Sequence, residues 1–173
     1  MEIKKYLNNF LKYRYLLFEL IKKNIKLKYR RSYLGILWTL VEPLLTMLVL
    51  TFVFGTFFGR GDRTYPVYIL CGRLLYAFFQ SSTKAGLKAV SGNAAMIKKV
   101  YVPKYIYVIA TIASNFVTFL ISLIVLVGVG LVLHVKVTVY VFQAVVPLII
   151  LLVFSLGVGL ILATLNVFFR DIE

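Results

Sequence analysis

The sequence predicts an all-α protein that crosses a membrane several times. Of its 173 residues, 61% are hydrophobic, and the mean hydropathy is +0.92. A soluble domain of this length would need a much more polar surface. Long apolar runs occupy residues 34–58, 65–79, 105–133 and 137–169. Because about 20 apolar residues cross the hydrocarbon core, we expect four spanning helices, at residues 33–58, 65–87, 104–133 and 140–167. The second must include polar residues to reach that length.

The positive charges indicate how the chain is oriented. The formal net charge is +14, and ten of the 20 Lys and Arg residues lie in residues 1–33. Five more lie between Lys84 and Lys104. Since basic loops stay on the cytoplasmic side, we expect a multi-pass protein of the cytoplasmic (inner) membrane with a cytoplasmic N-terminus. This distribution favours contact with anionic lipid and argues against nucleic acid as a partner.

The first segment, residues 1–32, is predicted to form an amphipathic helix on the cytoplasmic surface. At 100° per residue most of its basic side chains gather in one arc, and Leu17, Leu20 and Ile21 lie opposite them. The separation is imperfect, because Arg14, Lys28 and Arg31 fall on the apolar side. The basic residues that we assign to this interface helix are Lys22, Lys23, Lys26, Arg30 and Arg31. Such a helix lies in the membrane interface. It can serve as a lipid anchor or also touch a partner subunit, and its periodicity alone favours the anchor.

The first two spans each carry one charge inside the membrane. Pro43 predicts a kink in the first span, because proline removes a helical hydrogen bond. Glu42 lies about 13 Å above the inner surface and Arg73 about 12 Å below the outer one, at a rise of 1.5 Å per residue. Their depths differ by only about 5 Å in a core about 30 Å thick. Buried charges need partners, so we expect a Glu42–Arg73 ion pair. The alternative is that Arg73 faces a conduit and contacts an anionic substrate.

The cytoplasmic loop, residues 88–103, contains a candidate docking element. Ser91 to Asn93 break the second helix, and Asn93 is a suitable cap for a short new helix that ends near Lys99. Pro103 suits the first turn of the third span. A short helix bracketed by breaks can be a docking element or an ordinary connector. In the third and fourth spans, small residues predict close helix contacts, namely Gly128, Gly130, Gly157 and Gly159.

Catalytic chemistry is not expected on this chain. Its six acidic residues are scattered, and it has one cysteine, Cys71, and one histidine, His134. We find no metal-ligand set, no nucleophile elbow and no nucleotide-binding loop. We therefore assign no catalytic and no metal-binding residue. If the protein works against a gradient, its energy must come from another chain.

Three stretches together resemble the membrane subunit of type-2 ABC exporters. They are residues 28–44, which read KYRRSYLGILWTLVEPL, residues 93–104, which read NAAMIKKVYVPK, and residues 166–171, which read NVFFRD. The similarity is to the branch that exports O-antigen, capsular polysaccharide and teichoic acid. Members of this family have six spans, so the resemblance implies that the sequence is a partial chain.

The resemblance also implies a mechanism. Two copies of the chain would form a conduit along their interface, and two cytoplasmic ATPase subunits would bind ATP and Mg²⁺ beneath them. This chain itself would carry no cofactor. A lipid-linked glycan would enter from the cytoplasmic leaflet. The resemblance assigns coupling to the ATPase to Asn93, Met96, Ile97, Lys98 and Lys99. Aromatic faces suit sugar rings, so the conduit candidates are Phe54, Phe57, Phe58, Arg73, Tyr76, Phe78 and Phe79. Alternatively, these aromatic residues form an interfacial belt.

Other functions remain open at this point. The chain could belong to an ABC exporter of a drug or a lipid, to a polytopic membrane enzyme, or to an adaptor that recruits a cytoplasmic partner. An enzyme should show polar or acidic clusters at one interface, and the sequence has none. An adaptor should work without nucleotide hydrolysis anywhere in its complex.

Overall fold

The described residues fold almost entirely into helices. A computed structural model of the chain describes residues 12–30, 35–58, 64–99, 102–135 and 143–169. Its helices are α1 (Arg14–Tyr29), α2 (Trp38–Phe58), α3 (Tyr65–Leu87), α4 (Ala94–Ile97), α5 (Lys104–Val132) and α6 (Val145–Phe168). Short 3₁₀ turns, Gly35–Leu37 and Ser91–Asn93, precede α2 and α4. The all-α class is confirmed for these ranges.

Three segments are long and apolar enough to cross a membrane: Gly35–Thr56, Lys104–Val132 and Val145–Phe168. Helix α3 occupies the residues predicted for the second span but is not among them. Polar side chains such as Arg73, Gln80 and Lys84 lower its hydropathy. By length and composition, the described residues therefore contain three membrane-capable helices, and the fourth span stays a prediction.

Helix α3 packs against α2, α5 and α6. Its residues Leu70, Leu74 and Phe78 recur every four positions, so they share one face of the helix. All three are buried in a core with Met47 of α2 and Phe119 of α5. The least apolar of the four long helices thus contacts the other three, as α5 also does.

Helix α2 continues through Pro43 because a neighbouring helix satisfies the backbone group that proline leaves free. Proline has no N–H to donate to the carbonyl four residues earlier, which here belongs to Thr39. The Ser122 hydroxyl of α5 lies 3.2 Å from the Thr39 carbonyl and 3.2 Å from the Thr118 carbonyl of its own helix, so it is shared between the two acceptors. Both Ser122 and Thr39 are buried. This contact also fixes α5 against the start of α2.

A close contact between α3 and α6 depends on two glycines. A Cβ atom at Gly86 would lie 3.2 Å from the Cα atom of Gly159. A Cβ atom at Gly159 would lie 2.6 Å from Cδ1 of Ile112. The predicted role of a small residue in close packing is confirmed for Gly159. Within the described part of this single chain, an added Cβ at the other three predicted glycines would meet no atom within 4 Å, so they form no close contact there.

Helix α1 packs against α5 rather than lying apart from the bundle. Leu20 is only 4% exposed and contacts a cluster that includes Val102, Ile106 and Tyr107. The periodicity placed this apolar side against lipid, but in the structure the start of α5 covers it. Protein contact competes with lipid for the same apolar surface, and a single-helix pattern cannot distinguish the two.

Candidate functional site

A cavity of about 410 Å³, with both apolar and charged side chains in its wall, lies between the end of α1, the start of α2, α3 and α5. One stripe of α3 lines it, with positions i, i+4, i+7 and i+11 occupied by Arg73, Ala77, Gln80 and Lys84. One face of α5 lines it as well, through Asn115, Thr118, Phe119 and Ser122. The polar residues of α3 therefore face the cavity and α5, which explains how a helix of low hydropathy can lie among apolar ones.

The cavity has an excess of positive charge. Lys28 of α1 and Arg73 and Lys84 of α3 line it, opposed by the single carboxylate of Glu42. Partial burial lowers the pKa of Lys28, and the nearby Glu42 carboxylate works against that shift. Burial likewise raises the pKa of Tyr29, the next residue. Helices α1, α2 and α3 thus meet at a place where the lining charges sum to about +2 by simple count.

The structure brings Glu42 and Arg73 to the same cavity, but it does not pair them. The salt bridge found among the described residues joins Lys22 to Glu19 within α1, with Nζ and Oε1 3.1 Å apart. The Arg73 guanidinium instead lies 6.0 Å from the ring centroid of Tyr76. Because Glu42 and Arg73 lie at similar depths along their helices, both line one cavity. They are nevertheless not within ion-pair distance, so the predicted ion pair does not form.

The conduit candidates have different surroundings. Phe78 is 3% exposed and packs against Phe119 at 5.1 Å between ring centroids, so it is chiefly a core residue. Phe79 stacks on Phe154 of α6 at 5.5 Å. Tyr76 is 58% exposed, and Phe54 is also exposed. The side chains of the remaining two, Phe57 and Phe58, lie outside the described part of the chain.

The proposed coupling residues form a small unit at the start of α5. Met96 and Ile97 pack against the cluster around Leu20, which joins α4 to both α1 and α5. Lys98 and Lys99 are exposed. On α1, Lys22 and Lys26 are exposed and Lys23 is half-buried. Arg30, directly after the helix, is exposed, whereas Arg31 falls outside the described residues. Apolar side chains therefore hold this unit to the bundle while lysines remain at its surface.

Asn93 and Asn166 hold the backbone that leads into α4. The Asn93 side chain does not cap α4, although the residue occupies the N-cap position. Its Nδ2 instead donates to the carbonyl of Ala89, four residues earlier, at 2.8 Å. The predicted side-chain cap is therefore wrong. Asn166 of α6 is 7% exposed, and its Nδ2 donates to the Leu87 carbonyl at 3.0 Å. Helix ends leave carbonyls unpaired, and α6 satisfies one of them here.

Comparison of the sequence with known proteins shows to which family the chain belongs. The family described as ABC-2 type transporter matches residues 15–173. The chain belongs to this family. It is therefore a multi-pass membrane protein of the permease type.

Several relatives are named for polysaccharide export. The O-antigen export system permease protein RfbA of Myxococcus xanthus is 32% identical over 161 residues, which cover 93% of this chain and 62% of that protein. A protein of the same name from Klebsiella pneumoniae is 31% identical over 160 residues, covering 91% and 61%. The polysialic acid transport protein KpsM of Escherichia coli is 28% identical over 79 residues, covering 44% and 31%. The chain thus spans about three fifths of the length of the O-antigen permeases that it matches.

Sequence reasoning missed several residues of the cavity and of the α3–α6 contact. Lys28 and Lys84 were counted only as cytoplasmic charge, and Asn115 and Asn166 were assigned no role. The spacing of Asn115, Thr118 and Ser122 was a usable signal, because i, i+3 and i+7 share one helix face. A polar stripe on an otherwise apolar span predicts a surface turned away from lipid.

Proposed function

We propose that this chain is the membrane subunit of an ATP-driven exporter that moves a lipid-linked polysaccharide across the cytoplasmic membrane. The observation that carries the proposal is the alignment of nine tenths of the chain with permeases named for O-antigen export, within a matched transporter family. Two copies of the chain form the conduit, and two ATPase subunits supply ATP and Mg²⁺ from the cytoplasm. The N-terminus is cytoplasmic, and α1 with its lysines rests near anionic lipid headgroups.

The proposal includes α3 as a fourth spanning helix. Its 23 residues extend about 35 Å at the usual helical rise, which is enough for a hydrocarbon core of about 30 Å. Its charged stripe lines the cavity shared with α2 and α5, and ionisable residues inside a membrane face such cavities. Low hydropathy in this helix is therefore compatible with a spanning role.

Transmission of the ATPase motion is assigned to α4. Met96 and Ile97 pack on the cluster that joins α1 and α5. A push on the exposed Lys98 and Lys99 reaches both helices through packed side chains, because close-packed interiors transmit strain. The Asn166 bond to the Leu87 carbonyl connects the same region to α6.

The test is export by the full-length complex. The full-length permease and its ATPase are placed in sealed vesicles, and ATP hydrolysis and delivery of a lipid-linked glycan are both measured. We expect ATP-dependent delivery of the glycan. Delivery of only a drug or an unglycosylated lipid would support the other exporter class, and no nucleotide dependence would support an adaptor.

Charge reversal at α4 tests the coupling assignment. Lys98→Glu with Lys99→Glu should lower glycan delivery about tenfold or more relative to ATP hydrolysis, since like-charge contacts at an interface cost several kcal/mol. Lys104→Glu is the matched control, because Lys104 is an exposed lysine on the same side of the bundle. A normal ratio of delivery to hydrolysis in the double variant would contradict the assignment.

A further inference from the structure

We propose that Asn166 is a positioning residue for coupling, because its amide ties the end of α6 to the turn that leads into α4. In this proposal α3 and α6 form one rigid support, and α4 moves against that support when the ATPase pushes on it. The inference rests on the proposed function and deepens it, since it identifies what stays fixed while α4 moves. Three observations carry it: the hydrogen bonds of Asn166, the packing of α6 on α3, and the bonds within the turn.

The Asn166 amide bonds to both ends of the short connection between α3 and the 3₁₀ turn. Its Nδ2 donates to the carbonyl of Leu87, the last residue of α3, at 3.0 Å. The same nitrogen lies 3.4 Å from the Oγ atom of Ser91, the first residue of the 3₁₀ turn. The Leu87 carbonyl belongs to a helix end, where carbonyls lack a partner within the helix. Because Asn166 is buried, its bond to that carbonyl is stronger than the same bond in water.

Helices α3 and α6 run side by side in the same direction and come into backbone contact near Asn166. Phe79 stacks on Phe154, and farther along both helices a Cβ atom at Gly86 would lie 3.2 Å from the Cα atom of Gly159. Gly159 and Asn166 are seven residues apart, so they share one face of α6, and both are buried. Small residues allow this close approach, and packing of this density leaves the two helices little freedom to move separately.

The turn after α3 is held by bonds between its own residues. The Gly92 N–H donates to the Lys88 carbonyl at 2.8 Å, and Nδ2 of Asn93 donates to the Ala89 carbonyl at 2.8 Å. Ala89 is buried in a cluster that includes Ala163 of α6. As far as Asn93, the turn therefore packs with α3 and α6.

Beyond Asn93 the chain packs against a different group of helices. Met96 and Ile97 of α4 contact the cluster around Leu20, which belongs to α1 and the start of α5. Asn93 is thus the place where the chain passes from one packed group to the other, and short segments of this kind act as hinges. Asn166 holds the α3 side of this hinge, so a push on α4 moves α1 and α5 instead of bending the turn.

Hydrogen exchange tests whether Asn166 holds the turn. Wild-type and Asn166→Leu forms of the full-length permease are compared in detergent, with exchange followed by mass spectrometry in a peptide that covers residues 88–93. We expect these amides to exchange about tenfold faster in the variant, because local opening costs less free energy once the bond to Leu87 is lost. Asn166→Ser removes the amide with less apolar bulk and should give the same result. Unchanged exchange in both variants would overturn the proposal.

Ser155→Ala is the matched control for exchange. Ser155 also lies on α6 and is fully buried, but its hydroxyl donates to the Leu151 carbonyl of the same helix at 2.7 Å. Its loss should leave the exchange of residues 88–93 at the wild-type rate. Exchange as fast as in Asn166→Leu would show that any buried polar change on α6 loosens the turn, and it would overturn the specific role of Asn166.

The ratio of glycan delivery to ATP hydrolysis tests the role of Asn166 in coupling. In the full-length complex in sealed vesicles, Asn166→Leu should retain ATP hydrolysis and lower this ratio about tenfold, a loss of about 1.4 kcal/mol in coupling free energy. Leu152→Ala controls for stability, because this half-buried leucine of α6 packs against two of the core clusters and its truncation leaves a cavity. It should lower the unfolding temperature and leave the ratio unchanged. An equal fall in the ratio would show that Asn166 acts only through stability.

Export by the same variants separates this inference from the proposed function. If the wild-type complex delivers glycan and both Asn166 variants keep the wild-type ratio, the positioning role fails and the exporter stands. If the wild-type complex delivers no glycan, the exporter proposal fails and the coupling role fails with it. The exchange experiment still decides, in either case, whether Asn166 holds the turn.

Discussion

At the scale of single residues, Ser122 compensates for the hydrogen bond that Pro43 removes from α2. Its hydroxyl reaches the Thr39 carbonyl of another helix at 3.2 Å. Ser122→Ala would leave this buried carbonyl without a donor, which costs about 1 to 3 kcal/mol. We therefore expect the variant to unfold at a lower temperature in detergent, as measured by circular dichroism.

Two comparisons identify the cause of this loss. Ser114→Ala is the matched control, because Ser114 is also buried and, like Ser122, donates within α5, but its partner is Thr111 and not the Thr39 carbonyl of α2. Pro43→Ala restores a backbone N–H for the Thr39 carbonyl. The cost of Ser122→Ala should therefore shrink when Pro43→Ala is also present. An equal cost in both backgrounds would show that Ser122 acts in some other way.

At the scale of helices, α3, α5 and α6 come close together at Gly86 and Gly159. Gly159→Ala would place a Cβ atom 2.6 Å from Cδ1 of Ile112, and overpacking of this kind costs about 1 to 3 kcal/mol. We expect lower thermal stability, measured by the same unfolding assay. Adding Ile112→Val removes the Cδ1 atom and should restore part of the loss.

Gly157 supplies the matched control for this contact. It lies two residues away on the same helix, and an added Cβ there would meet no atom within 4 Å. Since glycine is a poor helix former compared with alanine, Gly157→Ala should be neutral or stabilise by up to about 1 kcal/mol. A loss as large as that of Gly159→Ala would contradict the packing explanation.

Hydrophobic length was sufficient to predict α2, α5 and α6, but it could not predict what surrounds each side chain. The start of α5 at Lys104 follows from Pro103, and the end of α3 follows from the break at Ser91 to Asn93. Local signals of this kind act within a few residues. By contrast, the bond from Asn166 to Leu87 joins residues 79 positions apart. Only the packing of α6 on α3 places that amide beside that carbonyl.

At the candidate site, too, some features follow from local sequence signals and others depend on how the helices pack. Depth along two helices was enough to bring Glu42 and Arg73 to one cavity, because helical rise is regular. Rotation about each helix axis and the course of α1 depend on packing, and they determine that Lys28 also lines the cavity. The cavity therefore forms between four helices, and the pattern of no single one of them defines it.

At the scale of the whole molecule, the orientation of the chain can be tested together with the spanning role of α3. If the N-terminus is cytoplasmic and both α2 and α3 cross the membrane, Thr64 before α3 lies outside the cell. Lys98, after α3, then lies in the cytoplasm. In a Cys71→Ser background, which removes the native thiol, Thr64→Cys should react with a membrane-impermeant maleimide in right-side-out vesicles only. Lys98→Cys should react only in inside-out vesicles.

The physical reason for this expected pattern is that basic segments remain cytoplasmic, and Lys98 belongs to such a segment. Labelling of both cysteines from the same side would show that α3 does not cross, whereas the reverse pattern would place the N-terminus outside.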